Sequence, residues 1–250
     1  MNTALRATEM GRQVALTGIL PQTADYLVKY FISRVDELSA IFRDEAQRHK
    51  FDFAVMYSCL TSHEFSGHYS TRFIPYGLAL NFVPNPEADE AAAFSAEPTW
   101  TPYFGSANAA SLLTGWINGR PIGDLERRYK NVRAGMIETL AREIAWCLSG
   151  SVKVLAAATR PELPEEERPV ALRGCDEATI QQLRDLVSPL KILTWQLTTG
   201  LPKEILWISN FQRADGRRLI SRAEGLAIWQ RGLVSFEDLR MRRNWESLIE

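Results

Sequence analysis

The chain has 250 residues, enough for one large domain or two modest ones with a true hydrophobic core. Its 29 lysines and arginines against 30 acids leave a formal charge of −1, so any nucleic-acid surface has to be local. The N-terminus carries no basic segment followed by an apolar run, no stretch approaches membrane-spanning length, and Cys59, Cys147 and Cys175 form neither a disulfide framework nor a zinc cluster; a reduced, cytoplasmic protein is expected.

In chain order, residues 1–20 are mixed and lead to a break at Gly18. From Pro21 the pattern turns helical, with Thr23 as a cap and apolar residues at three- and four-residue spacing through Phe42. A second helix is expected over 51–62. Residues 63–103, with Pro84, Pro86, Pro98 and Pro102 and the acidic NPEADE segment, read as a long surface crossing. Helical periodicity resumes over 108–118, a Gly119-Arg120-Pro121 turn follows, and a short helix over 122–129 leads onward, with Gly119 and Gly135 at the joints. Residues 159–169 form a Pro/Glu linker. Asp176 or Thr179 then caps a helix that runs to Leu197, kinks at Pro189 and ends at Gly200. The last fifty residues hold nine basic residues against seven acids, with arginines clustered on both sides of Gly216.

The most informative stretch is 133–157, RAGMIETLAREIAWCLSGSVKVLAA. Ile137, Leu140, Ala141, Ile144, Leu148, Val152 and Leu155 fall on one side of a helix, the period of a core-facing stripe. Trp146 points the opposite way and shares its face with Arg142, Ser149 and Lys153. Two readings of that ring stand. An aromatic flanked by Arg and Lys on a non-core face is how proteins stack an unpaired base while holding its phosphates. Tryptophan is also usually buried, which would place the ring under another helix.

Several apparent motifs dissolve on inspection. His63 and His68 are one residue too far apart for two zinc ligands on a single helical face. Three Asp-Glu-Ala triplets, starting at Asp44, Asp89 and Asp176, lack the apolar strand of a helicase Walker B box and read as solvated faces and caps. No phosphate-cradling GxxxxGK[ST] loop, no G-x-S-x-G elbow and no dinucleotide loop is present, so a self-contained enzyme is disfavoured.

Taken in order, several stretches resemble one family. Leu112-Leu113 to Trp116 and Gly119, Asp124-Leu125 with Arg128-Tyr129, and Gly135 through Trp146-Cys147-Leu148 are similar to the ratchet domain of DExH-box superfamily 2 helicases, in the branch of the archaeal repair helicase and the helicase half of DNA polymerase theta. Leu197, Gly200-Leu201-Pro202 and Glu204-Ile205-Leu206, then Leu226-Ala227, Trp229, Gly232-Leu233, Ser235 and Glu237-Asp238-Leu239, resemble the helix–hairpin–helix module that closes such helicases. Thr8, Gly11-Arg12 and Val14 resemble the end of the preceding winged helix.

The resemblance implies a mainly α, multi-helix ratchet-type bundle. It implies a winged-helix remnant over 1–20, the ratchet domain over 21–199 and a basic helix–hairpin–helix-like module over 200–250. In that family the ratchet-helix tryptophan stacks on a base of the tracking strand, a role that falls on Trp146. The family's basic partner falls at Thr139, a departure for which Arg142 substitutes. Ser149 and Lys153 complete that face, and Arg213, Arg217, Arg218 and Arg222 are expected to grip phosphates, although the hairpin region carries extra residues and no clean G-x-G.

The expected role is therefore a single-stranded DNA-binding, or RNA-binding, accessory portion of a helicase. The chain needs no cofactor of its own, since ATP and Mg belong to motor domains supplied by another chain or by absent sequence. Because the match begins almost mid-domain, either a piece of a longer helicase or a separately encoded subunit of a split one is expected. The rival is a helical scaffold in which Trp146 and the basic tail dock a protein, such as a nuclease or motor subunit. A stand-alone enzyme ranks third, for want of a convergent catalytic set.

Overall fold

A computed structural model of the chain describes residues 7–65 and 104–240. Among the described residues there are ten α-helices: α1 (Glu9–Thr17), α2 (Pro21–Ser33), α3 (Val35–Arg43), α4 (Arg48–Thr61), α5 (Phe104–Ile117), α6 (Ile122–Arg128), α7 (Ala134–Ala158), α8 (Glu177–Thr199), α9 (Arg222–Gln230) and α10 (Phe236–Arg240). Among the described residues there is no strand, only an isolated antiparallel bridge between Gln212 and Arg218. The protein is mainly α, a multi-helix bundle. No described helix is long and apolar enough to cross a membrane.

Local chemistry explains most of the boundaries. The Thr8 hydroxyl accepts the Gly11 N–H at 3.1 Å to start α1, and Gly18 at φ +74° ends it. Pro21 opens α2 at its first position, where a missing N–H costs nothing. Thr23 is thus not the cap: it lies two residues inside the helix, buried, and its hydroxyl accepts the Glu64 N–H at 3.0 Å. The helical stretch is also divided, because Arg34 leaves helical geometry between α2 and α3. Gly119 ends α5 in a left-handed turn, with Arg120 donating to the Gly115 carbonyl and Gly119 to that of Trp116. Gly135 is not a joint. It sits inside the first turn of α7, and that helix is started instead by the Glu126 carboxylate, which accepts the Ala134 N–H at 2.9 Å. Asp44 caps a single 3-10 turn and Asp176 caps α8. Pro189 removes one intrahelical donor, yet α8 runs on to Gly200, which closes it at φ +68°. The linker expected at 159–169 folds into a 3-10 turn at Glu165–Glu167, and a second follows at Val170–Leu172.

The core is built on α7 packed lengthwise against α8, with α4 against α5 beside them. Every residue of the predicted α7 stripe is at most 2% exposed. Each such leucine or isoleucine contributes about 1.5–3 kcal/mol. A second, separate apolar cluster, including Leu201, Ile205, Leu206, Leu226 and Leu239, organises the C-terminal segment. The two are joined where the Trp116 indole N–H donates to the Leu197 carbonyl at 3.0 Å and the Arg222 guanidinium lies 4.1 Å from the Trp116 ring centre. A third, small cluster of Val14, Ile19, Ala24, Val28 and Val154 seats α1 on α7 and α2.

Candidate nucleic-acid interface

Because α7 turns its Ile137–Leu155 stripe inward, Trp146 must emerge on the outer side, and it is 39% exposed. The ring is not loose. Its N–H donates to the Thr17 carbonyl at 3.1 Å, at the end of α1. This bond is possible because α1 runs antiparallel to the second half of α7: Glu9 pairs with Arg160 at 3.6 Å at one end, and Thr17 reaches Trp146 at the other. Gly150 makes room for the crossing, since a Cβ there would meet Ile19 at 2.7 Å. One edge of the indole is thus anchored while part of its surface stays in solvent, which is the condition for a preformed stacking platform.

The rest of the predicted face is brought together in part. Arg142 and Lys153 are exposed one turn before and two turns after the ring, and Ser149 is half-buried. Thr139 is exposed and its hydroxyl accepts from Arg142 at 3.4 Å, which steadies the guanidinium rather than adding a charge. The outer face is narrower than the helical period predicts, because Ala145, Cys147, Gly150, Ser151 and Val154 are also buried, Gly150 and Val154 on the side that α1 and its loop cover. Exposed Leu16 and Leu20, at 73% and 38%, flank the segment that holds the indole. Sequence periodicity could not find them, since nothing local to α1 reports that it lands beside Trp146.

The C-terminal arginines divide into two kinds. A tight turn, with Gly216 at φ +79°, the Arg213 N–H donating to the Arg217 carbonyl and the Gly216 N–H to that of Arg213, presents Arg213 and Arg217 to solvent. Arg217 reaches Asp215, at 3.6 Å across an exposed pair. Arg218 and Arg222 are different, because both guanidiniums already donate within the fold. Arg218 donates to the Thr198 carbonyl at 2.8 Å, and Arg222 donates to the carbonyls of Gly200, Trp116 and Arg120 at 2.8, 3.0 and 2.9 Å. These guanidiniums cap the ends of α8 and α5. Burial pulls the Arg222 pKa down to about 10, with the Glu138 carboxylate on α7 working the other way. With its Nε and Nη2 so engaged, Arg222 has no free fork for a phosphate, while Arg218 stays exposed.

Among the described residues no cluster of three or more histidines, cysteines, aspartates or glutamates could hold a metal ion. His68 and the Asp89 triplet lie outside the described residues. Cys59 and Cys147 are buried free thiols in contact between α4 and α7, and the contact with Cys147, followed by burial, pushes the Cys59 thiol up and out of reactive range. No protein-family model matches the chain, and no curated protein matches it. Fold and site thus define, among the described residues, a mainly helical protein with Trp146 anchored and partly in solvent between two basic side chains; Trp195 on α8 is comparably exposed, at 37%, and donates its N–H to the Ser209 hydroxyl at 2.8 Å, without a basic residue on both sides along its helix.

Proposed function

We propose that the chain binds single-stranded nucleic acid across the outer face of α7 and serves as the strand-guiding accessory portion of an ATP-dependent superfamily 2 helicase whose motor is supplied elsewhere. The observation that carries the reading is Trp146: partly in solvent, fixed through its N–H to Thr17, and flanked along one helix by exposed Arg142 and Lys153. A base lies on the indole while Arg142 and Lys153 meet its phosphates, and Arg213 and Arg217 extend the contact along the chain. Single-stranded DNA is the preferred ligand, with RNA as the alternative substrate of the same surface.

Base–aromatic stacking contributes about 1–3 kcal/mol per base. Trp146→Ala is therefore expected to weaken binding of a fluorescently labelled oligonucleotide about five- to 150-fold without unfolding the protein. Titration at two salt concentrations should show saturable binding that weakens with salt. Weak, non-saturating binding by the wild type, or an unchanged affinity in Trp146→Ala, would reject the role. It would favour the second reading, a protein-docking scaffold, to which exposed Leu16 and Leu20 beside the indole lend support.

A further inference from the structure

On a different part of the molecule lie two clefts of about 380 and 290 Å³, the larger within the helical body and the smaller where that body meets the C-terminal segment, and both are bordered by His49 and Asn118. Their linings differ in character. The larger holds Arg120, Arg128 and the Ser111, Thr114 and Tyr129 hydroxyls, and among the described residues no carboxylate borders it. Arg120 and Arg128 are exposed and form no ion pair among the described residues, unlike Arg218 and Arg222, which cap helix ends. The negative end of α5 does not oppose an anion here, because the Thr114, Gly115 and Trp116 carbonyls already accept from Asn118, Arg120 and Gly119. Two exposed guanidiniums suit a phosphate, while the Thr114 hydroxyl is spent on the Ala110 carbonyl at 2.9 Å.

The smaller cleft is the reverse. Asp52 borders it together with Glu45 and Glu204, and the cations present are already engaged: Lys203 lies 3.2 Å from Glu45, and Arg48 is stacked on the Phe42 ring at 3.8 Å. Asp52 is 5% exposed, and its Oδ1 has no hydrogen-bond partner among the described residues; Arg48 approaches it only to 3.9 Å, outside hydrogen-bond reach. Burial pushes the carboxyl up to about 7, with Arg48 and Lys203 holding it back. A buried acceptor without a donor is costly, and such groups concentrate where a ligand completes the bonding. The Gln196 amide and the Trp229 ring complete a wall that offers acceptors and a flat apolar face to a planar N–H-bearing group.

We infer that the paired clefts form one small-molecule site for a nucleoside monophosphate, with the phosphate held by Arg120 and Arg128 and the N–H edge of the base donating to Asp52. The shared His49 and Asn118 border lets one ligand span both compartments. The site is separate from the Trp146 face and stands whether or not that face binds a strand.

The test is calorimetric titration of the full chain with each of the four ribonucleoside 5′-monophosphates, with inorganic phosphate and guanosine as separate arms. At least one nucleotide should bind saturably and raise Tm, and more tightly than phosphate alone. The double variant Arg120→Ala/Arg128→Ala and the single variant Asp52→Asn should each weaken that binding about tenfold or more, with circular dichroism and the ligand-free unfolding transition showing that both fold. The variant Lys29→Ala, on the exposed side of α2 and bordering neither cleft, should bind like wild type. The site is refuted if no nucleotide binds, if binding survives both the double and the Asp52 variants, or if phosphate alone binds as well as the nucleotide.

Discussion

Two tryptophans in this protein are built almost alike and end in opposite circumstances. Trp116 on α5 donates its N–H to a backbone carbonyl near the end of α8, has an arginine over its ring and is 3% exposed. Trp146 on α7 donates its N–H to a backbone carbonyl at the end of α1, has an arginine one turn away and is 39% exposed. Neither the hydrogen bond nor the neighbouring charge distinguishes them. The difference is cover: the C-terminal segment closes over Trp116 through Arg222, while α1 reaches Trp146 only at its edge. An anchored ring that is covered holds a structure together, and an anchored ring left open is available to a planar ligand.

Removing the covered ring should have the largest effect. Trp116→Ala is expected to destabilise the protein by about 3–5 kcal/mol, and Arg222→Ala, which removes one donor from each of three carbonyls and leaves that of Trp116 with only the Gly119 N–H, by about 2–4 kcal/mol, both measured by urea denaturation. Arg222→Lys should recover little, because an ammonium cannot reach three carbonyls from one planar fork. If either alanine variant unfolds at the wild-type midpoint, the seam does not hold the C-terminal segment.

Asp52 tests cover over a charge instead of over a ring. Its folded pKa, about 7, lies above the ordinary value of 3.8, so the folded state retains a proton that the unfolded chain releases. The associated stabilisation is complete below 3.8 and is lost as pH rises through 7. The charged groups around it are Arg48 on its own helix and Lys203, Glu45 and Glu204 across the cleft, with His49 beside them. Asp52→Asn should therefore raise the unfolding midpoint at pH 8 and leave it nearly unchanged below pH 4. Equal effects at the two pH values would count against a buried, uncompensated carboxylate.

At the open ring the effects on stability shrink. Trp146→Phe keeps an aromatic face but loses the bond to Thr17, with an expected cost of about 0.5–1.5 kcal/mol and partial retention of strand binding. Smallest is Arg217→Ala, expected within about 0.5 kcal/mol in stability and visible only as a salt dependence of strand binding reduced by about one phosphate contact.

How much of this could be read beforehand follows the reach of each interaction. The α7 stripe and the outward turn of Trp146 were legible because helical period is local, and Gly200 was legible because a left-handed stop favours a residue without a side chain. Thr23 was misread because Pro21, two residues earlier, begins the helix. The Ser221–Glu224 capping box that starts α9 is equally local, an S-x-x-E pattern set among arginines whose charge masks it. Arg222 itself was beyond local reading. Next to Arg217 and Arg218 it looks like part of a basic surface, and only the meeting of α5, α8 and α9 turns it toward three carbonyls. The landing of α1 beside Trp146 is of the same kind, a contact between residues 129 positions apart.

Gly150 sets the seat of α1 to within the width of a methyl group. With Ile19 Cγ2 and Thr17 Cβ only 2.7 and 3.3 Å from where a Cβ would stand, an alanine there would lift the turn after α1 off its support. The Thr17 carbonyl would travel with it, and the indole, released at its nitrogen, would be free to swing. The geometry of the outer surface is in this sense governed from below, by one missing carbon that no ligand ever meets.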